Sequence, residues 1–505
     1  MLATVLAQAS EFIRPDIDWH AVAPELTILA VGALLTILDI VLLERGRQYM
    51  PAVAGVGMLV PLIPILTLAI DGQDRILWDG AFVVDDYALI LKAMFLLSGY
   101  VVVLLSTHYM GEGDYWESEY YTMLATSITG MVLMASARDL LSIFIALELL
   151  SIPAYLMATW RKRDVRSNEA GLKYYLMGVF ATAITLYGMS LLFGAAGDTR
   201  LVAIGESMAT DGDARPMITL GIVFVLIGFG FKVSAVPFHT WAPDTYEGAP
   251  TPVTAFLAVA SKAAGFVALM NLVFFGFLTR SDVVEPLMWV LAVASMTVGN
   301  LIALRQTNIV RMLAYSGVAQ AGFMLAPFAV VGSNPDEART AIVSYLLIYA
   351  AMNLGAFVVV IAVARKTASA EIDSYNGLFQ YAPGLTVAMS IFLFSLAGIP
   401  PLGGWFAKFV VFRAVMSAET PWAVALGVAI ALNSVIALFY YANVAKAMWF
   451  EDPVDGDVTP IPVPFSLSTG VALTVGATLA FGVFPGLVGH FTDFPDTLVA
   501  LTSHL

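Results

Sequence analysis

Apolar residues in this chain come in runs of membrane length, and polar residues come in short clusters between them. The first run is Pro24–Leu43 and the last is Ser466–Val488. About fourteen such windows are present when each crossing is given roughly 20 apolar residues. Charged clusters punctuate them at Asp71–Asp86, Gly111–Glu119, Trp160–Arg166 and Glu451–Asp457. The pattern predicts an all-α polytopic membrane protein with about fourteen transmembrane helices.

Two windows break their own pattern. GFGFKVSAVPFHTW, Gly228–Trp241, holds Pro237, and SLAGIPPLGGWFAKF, Ser395–Phe409, holds Pro400 and Pro401. Proline removes a helical hydrogen bond and clashes with the preceding turn, so each window predicts a broken helix. Unpaired backbone at membrane depth is tolerated only inside protein or beside a hydrated cavity. Lys232 precedes its proline, whereas Lys408 follows its pair. That reversal is what two halves of opposite topology give, and inverted repeats with broken helices near the midplane recur in transporters.

Composition narrows the class further. Hydrophobic residues make up 59% of the chain and charged residues 12%, against about 25% charged in soluble domains. A water-soluble fold is excluded. The net charge of -14 arises from acids in the connecting clusters, and no basic stripe suits a nucleic acid. There is no cysteine, hence no disulfide and no cysteine-ligated zinc or iron–sulfur site. Redox chemistry is expected elsewhere. MLATVLAQAS lacks a positive n-region, so the chain is expected to begin near Met1 without a cleaved signal. The densest basic cluster is WRKRDVR, Trp160–Arg166. Alternating helices place Arg45, Arg47, Arg305, Arg311, Arg365 and Lys366 on the same side, which the positive-inside rule makes cytoplasmic. Arg75, Arg138, Arg200, Arg215, Arg280 and Arg339 fall opposite. An even number of spans then puts both termini in the periplasm, with the lipid bilayer of a bacterial plasma membrane around the chain.

Ionisable residues inside the apolar windows carry the chemistry. Of eight lysines, five lie within predicted spans: Lys92, Lys173, Lys232, Lys262 and Lys408. Nearly all sixteen arginines lie in loops or at helix ends. Buried lysine can release its proton, and arginine cannot. A central lysine costs roughly 2.5–3.5 kcal/mol on insertion scales. Lys92, six residues after Asp86, is expected to snorkel to the interface. Lys173, four residues after Glu169, reads as a helical ion pair. Lys232, Lys262 and Lys408 sit deep in apolar sequence and read as proton carriers. Glu148, in SIFIALELLSIPAYL, has no charged neighbour in its span and is expected to pair with Lys232 on another helix. His239, seven residues after Lys232, has a side chain suited to passing a proton between lysines, and reads equally well as a structural group. Asp39 and Asp139 read as interfacial.

With those residues in view, FKVSAVPFHTWAPDTYEGAPTPVTAFLAVASK, Phe231–Lys262, resembles the signature of the antiporter-like membrane subunits of respiratory complex I, the NADH:quinone oxidoreductase. Its YEGAPTPVTAF portion resembles the N-type branch. NEAGLKYYLMG at Asn168–Gly178, RMLAYSGVAQAGF at Arg311–Phe323 and SLAGIPPLGGWFAKF support the resemblance. It implies N-terminal helices 1–3 over residues 1–115, a first repeat of helices 4–8 over 116–280, an inverted second repeat of helices 9–13 over 281–450, and a loop with helix 14 over 451–505. Carried over by motif, Glu148 is the helix 5 acid, Lys232 the helix 7 lysine, Lys262 the central helix 8 lysine, His239 the connecting histidine, and Lys408 the terminal residue of helix 12. M-type subunits carry glutamate at that last place, so Lys408 favours the N-type.

The resemblance also implies that this chain holds no cofactor. NADH, FMN, iron–sulfur clusters and quinone would belong to other subunits, and M-, K-, J- and A-type membrane subunits would be partners. Quinone reduction would drive protons from cytoplasm to periplasm. An Mrp-type cation/proton antiporter subunit shares the fold, but sodium prefers oxygen ligands and a lysine-lined cavity repels it. A structural membrane scaffold has no need of midplane lysines.

Overall fold

The computed structural model describes residues 17–111, 117–210, 215–454 and 456–492. The start at Met1 and the two termini fall outside the described residues.

The chain opens with α1 (Ala23–Gly46), α2 (Met50–Leu59) and α3 (Leu62–Asp71), then a short antiparallel hairpin of β1 (Arg75–Leu77) and β2 (Phe82–Val84). There follow α4 (Asp86–Gly111), α5 (Glu117–Ser136), α6 (Leu140–Ala158), α7 (Val165–Ala196) and the short α8 (Leu201–Thr210). Next come the half-helices α9 (Arg215–Lys232) and α10 (Trp241–Gly248), then α11 (Thr251–Phe256) and α12 (Lys262–Leu272), joined by a π-helical turn at Leu257–Ser261. The later part holds α13 (Ser281–Ala303), α14 (Ile309–Leu325), α15 (Pro335–Thr367), one turn α16 (Leu378–Tyr381), and the half-helices α17 (Pro383–Ala397) and α18 (Gly403–Met416). It closes with α19 (Pro421–Phe450), α20 (Phe465–Val483) and α21 (Pro485–Thr492).

Eleven helical stretches are long and apolar enough to cross a membrane, and one of them, Thr251–Ala303, contains two passes. Adding α5 and the broken α17–α18 pair gives fourteen passes among the described residues, as the sequence predicts. Contacts between loops fix which ends lie together. Arg311 pairs with Asp244 at 3.1 Å and Glu247 at 2.6 Å, Lys366 pairs with Asp457 at 3.3 Å, and Arg161 lies over the Tyr109 ring at 5.2 Å. This is the basic end. At the far end, Arg200 donates to the Asp79 carbonyl at 3.4 Å, Arg280 to Thr219 at 2.9 Å and Asn334 to Ser417 Oγ at 2.9 Å.

Side chains at the far end set where helices start. Asp139 accepts from the Leu141 and Ser142 amides at 2.8 and 3.1 Å, which satisfies free donors at the start of α6. Its other oxygen takes the Thr199 hydroxyl, and the side chain is buried. The interfacial reading of Asp139 therefore becomes a helix cap.

The centre of the molecule is the run from Pro252 to Phe277, in which every residue is buried. Outer helices present apolar side chains outward instead; Leu172, Leu176, Phe180 and Tyr187 on α7 are exposed. A helix apolar on both faces, buried at the core and bare at the rim, belongs in lipid.

Candidate functional site

Both expected breaks are present. After Lys232 the chain unwinds over Val233–Thr240, with Ser234 at φ 60, and then re-forms as α10. Backbone freed by the break is taken up locally. Trp241 Nε1 donates to the Phe231 carbonyl at 3.0 Å, and Ser295 Oγ on α13 accepts the Val236 amide at 2.9 Å. In the second break, α17 ends at Gly398, whose φ of +92 suits only glycine, and α18 begins at Gly403. Ser395 Oγ accepts the Gly404 amide at 2.9 Å across that gap. Pro237, Pro400 and Pro401 lie inside the two unwound segments. Because α9 runs inward from the far end and α18 runs back to it, the reversed order puts both lysines on the half-helix nearer that end.

Lys232 is 5% exposed, Lys262 1% and Lys408 7%. Lys232 Nζ donates to Ser151 Oγ at 2.8 Å and reaches Tyr174 OH at 3.5 Å. Tyr174 stacks on Trp241 with ring centroids 4.7 Å apart, so the aromatic wall of the break also lines the lysine. The stem of Lys232 lies against Gly265 on α12, where an added Cβ would meet its Cγ at 3.0 Å. That contact joins the helix of Lys232 to the helix of Lys262, one turn away.

Lys262 follows directly on the π-helical turn, a local widening of the helix that recurs at functional sites. Its Nζ donates to the Gly317 carbonyl on α14 at 2.7 Å, and a Cβ on Gly317 would approach that nitrogen to 3.0 Å. Lys408 Nζ donates to the Ala397 carbonyl at 2.8 Å, one of the carbonyls left free where α17 stops, and lies 4.6 Å from the centre of the Phe323 ring.

Between Lys262 and Lys408 lies a string of uncharged polar groups. Ser316 Oγ and Tyr441 OH are 2.5 Å apart. Gln320 Nε2 donates to the Leu396 carbonyl at 3.1 Å and to Tyr441 OH at 3.3 Å, and Gln320 Oε1 accepts from Tyr345 OH. All four side chains are buried. Sequence reasoning passed over them because it sought ionisable groups.

Two expectations need correction. Glu148 forms no ion pair with Lys232; its Oε1 accepts from Thr182 at 3.0 Å, while Ser151, one turn along α6, takes the lysine. The lysine thus meets α6 one turn from the acid that the helix carries. Lys92 does not snorkel. It is 0% exposed and pairs with Glu25 Oε1 at 2.7 Å, beneath the Phe82 ring at 5.2 Å, because α1 and the hairpin cover that end of α4. Lys173 behaves as expected and pairs with Glu169 at 2.8 Å, and also with Asp244 at 2.8 Å.

His239 lies in the first unwound segment, its ring 6.4 Å from that of Tyr315 and its buried Nδ1 without a hydrogen-bond partner. No hydrogen bond joins it to a lysine among the described residues. Two polar cavities of about 340 and 610 Å³ open at the basic end, sharing Arg166, Glu247 and the bases of α10 and α14. At the far end Arg138 is buried between Phe275 and Tyr87, with Asp85 at 3.4 Å, a cluster that sequence position assigned to a loop. Among the described residues no group of three or more His, Asp or Glu is placed to hold a metal ion.

Fourteen passes, two of them broken, with buried lysines at both breaks and on the central helix, define an antiporter-like membrane subunit. A family model described as "NADH:quinone oxidoreductase/Mrp antiporter, TM" matches residues 137–433. NADH-quinone oxidoreductase subunit N of Trichlorobacter lovleyi is 36% identical over 479 residues, 94% of this chain and 96% of its own length. A chain of respiratory complex I from Thermus thermophilus superposes with a TM-score of 0.76 at 30% identity, over 92% of this chain and 98% of its own. A chain of the Mrp complex from Dietzia sp. shares the fold, with a TM-score of 0.85 at 18% identity over 96% and 99%. The chain belongs to the NADH:quinone oxidoreductase/Mrp antiporter membrane family, in its subunit N branch.

Proposed function

We propose that this chain translocates protons as the N-type membrane subunit of a NADH:quinone oxidoreductase, through Glu148, Lys232, Lys262 and Lys408. One observation carries the reading. Each of the three central lysines is buried and ends on a neutral oxygen: a serine hydroxyl, the Gly317 carbonyl or the Ala397 carbonyl. An ammonium and a free amine can both donate to such an oxygen, so the contact survives gain and loss of the proton. The sites are held in place without being tied to one charge state.

In this reading protons enter through the polar cavities at the basic end and pass from Lys232 past Gly265 to Lys262, then to Lys408. Glu148 biases Lys232 by its charge, one turn along α6 from the Ser151 that receives the lysine. His239, at the edge of the first break, is kept as an accessory carrier. Residues 116–280 and 281–450 act as the two repeats, each with one broken helix, between helices 1–3 over 1–115 and the segment 451–505. No redox centre is assigned to the chain. NADH, FMN, iron–sulfur clusters and quinone belong to partner subunits, and M-, K-, J- and A-type subunits are assigned as its membrane neighbours. A bacterial inner membrane places the basic end in the cytoplasm and both termini in the periplasm. Lysines at the core do not suit sodium, which disfavours an Mrp-type exchange of cations here.

The test compares Lys232→Arg with Lys232→Ala in the assembled complex. Arginine keeps the charge but stays protonated. Both variants are expected to lose proton pumping in sealed vesicles, together with the electron transfer coupled to it. Pumping at the wild-type rate in the arginine variant would show that Lys232 acts only by its charge, and the relay would be wrong at its centre.

A further inference from the structure

Lys262 and Lys408 bind carbonyls that stand next to a shared hydrogen-bond network. The Gly317 carbonyl follows Ser316, and the Ala397 carbonyl follows that of Leu396. Within the network the orientation of the Gln320 amide is determined. The Leu396 carbonyl can only accept, so the amide nitrogen of Gln320 must face it, and the amide oxygen then receives the Tyr345 hydroxyl. The same nitrogen donates to Tyr441. Tyr441, accepting from Gln320, shares a hydrogen bond with Ser316 Oγ in which either hydroxyl can donate. Its neighbour Tyr440 donates to Asn300 Oδ1 at 3.0 Å.

We propose that the Ser316–Tyr441 hydroxyl pair carries the proton between Lys262 and Lys408, with Gln320 as the residue that positions Tyr441 for the transfer. This rests on the lysine relay described above and names its middle step. One lysine gives a proton to the near hydroxyl, that hydroxyl passes its own proton to the second, and the second releases its own proton to the other lysine, present as a free amine. Only O–H and N–H bonds form and break, and neither hydroxyl keeps a charge. The step requires each flexible lysine stem to swing from its carbonyl to the nearer hydroxyl. Gln320 has no proton to give, so its part is to hold Tyr441 between α14 and the end of α17. Tyr345 fixes the amide from behind.

The experiment uses the whole complex in sealed vesicles, with assembly verified by the composition of the purified complex. Tyr441→Phe keeps the ring and removes the hydroxyl, and pumping is expected to fall about a hundredfold or more, the range that a positioned proton-transfer group contributes. Ser316→Ala should act in the same direction. Gln320→Met keeps the volume and removes both polar atoms. It should slow pumping and raise the solvent deuterium isotope effect on turnover, because the hydroxyl transfer becomes rate-limiting. A slower enzyme with an unchanged isotope effect would mean that Gln320 only packs, and the positioning role would be overturned. Tyr441→Phe pumping at the wild-type rate while Lys262→Ala and Lys408→Ala fail would overturn the bridge and leave the relay standing. If the two lysine variants also pump normally, the relay itself falls.

Discussion

Lys232, Lys262 and Lys408 end on neutral oxygens, whereas Lys92 and Lys173 end on carboxylates. All five occur within apolar windows, so falling in such a window does not separate them. What separates them is the partner. A carboxylate attracts the ammonium and has little to offer a free amine, so it commits the lysine to one state. A hydroxyl or carbonyl accepts from either form. In the relay proposed above, the three lysines on neutral oxygens are the carriers, and the two on carboxylates stand outside it.

The largest expected effect comes from removing a member of the first group. Lys262 lies on the most deeply buried helix run, directly after the π-helical turn, and no second lysine reaches the Gly317 carbonyl among the described residues. Lys262→Ala is expected to reduce proton pumping and coupled quinone reduction by about 10² or more, the scale on which a positioned proton donor acts. NADH oxidation by an artificial acceptor, which bypasses the membrane arm, should stay intact. Normal pumping in an assembled Lys262→Ala complex would erase the distinction between the two groups of lysines.

Much of that distinction was legible in the sequence. Motif lysines beside prolines, the reversed order of lysine and break, and the fourteen windows all reappear in the structure. Partners were less legible, because they depend on which helices meet. Glu25, the partner of Lys92, is on α1 and Lys92 on α4, and only the packing of the first helices brings them together. Asp86, the near neighbour in sequence, proved irrelevant to that lysine. Glu148 was matched to Lys232 by charge, yet a serine one turn away was better placed to receive the ammonium. Ser316, Gln320 and Tyr441 were invisible for another reason. Uncharged polar side chains are common in membrane helices, and only hydrogen-bond geometry singles these out.

A second, smaller effect tests the carboxylate-bound group. Lys92 and Glu25 are both withdrawn from solvent, with 0% and 12% of their side chains exposed. Breaking a buried pair on one side leaves an uncompensated charge and costs about 3–5 kcal/mol of stability, whereas removing both partners is often neutral. Lys92→Met or Glu25→Gln alone should lower the thermal stability of the purified complex, and the double variant should recover most of it. Pumping per assembled complex should stay within about twofold, because this pair lies outside the proposed relay. Loss of pumping in the stable double variant would move Lys92 into the relay and break the comparison from its other side.

The smallest effect is expected at Lys173, which like Lys92 ends on carboxylates but is not buried. Its side chain is 44% exposed, at the rim of the cavity where Asp244 also receives Arg311. Exposed ion pairs contribute about 0–1 kcal/mol and weaken with salt. Arg311 continues to hold Asp244 when Lys173 is removed, so Lys173→Gln should change thermal stability by less than about 1 kcal/mol. Its effect on pumping should be a modest change that disappears at high ionic strength, since what is lost is a local charge at the mouth and not a carrier. A deep loss of pumping that persists in high salt would require Lys173 to exchange protons itself. The boundary between the two kinds of lysine would then lie at Lys92, and burial against a carboxylate, not the carboxylate alone, would be what silences a lysine in this fold.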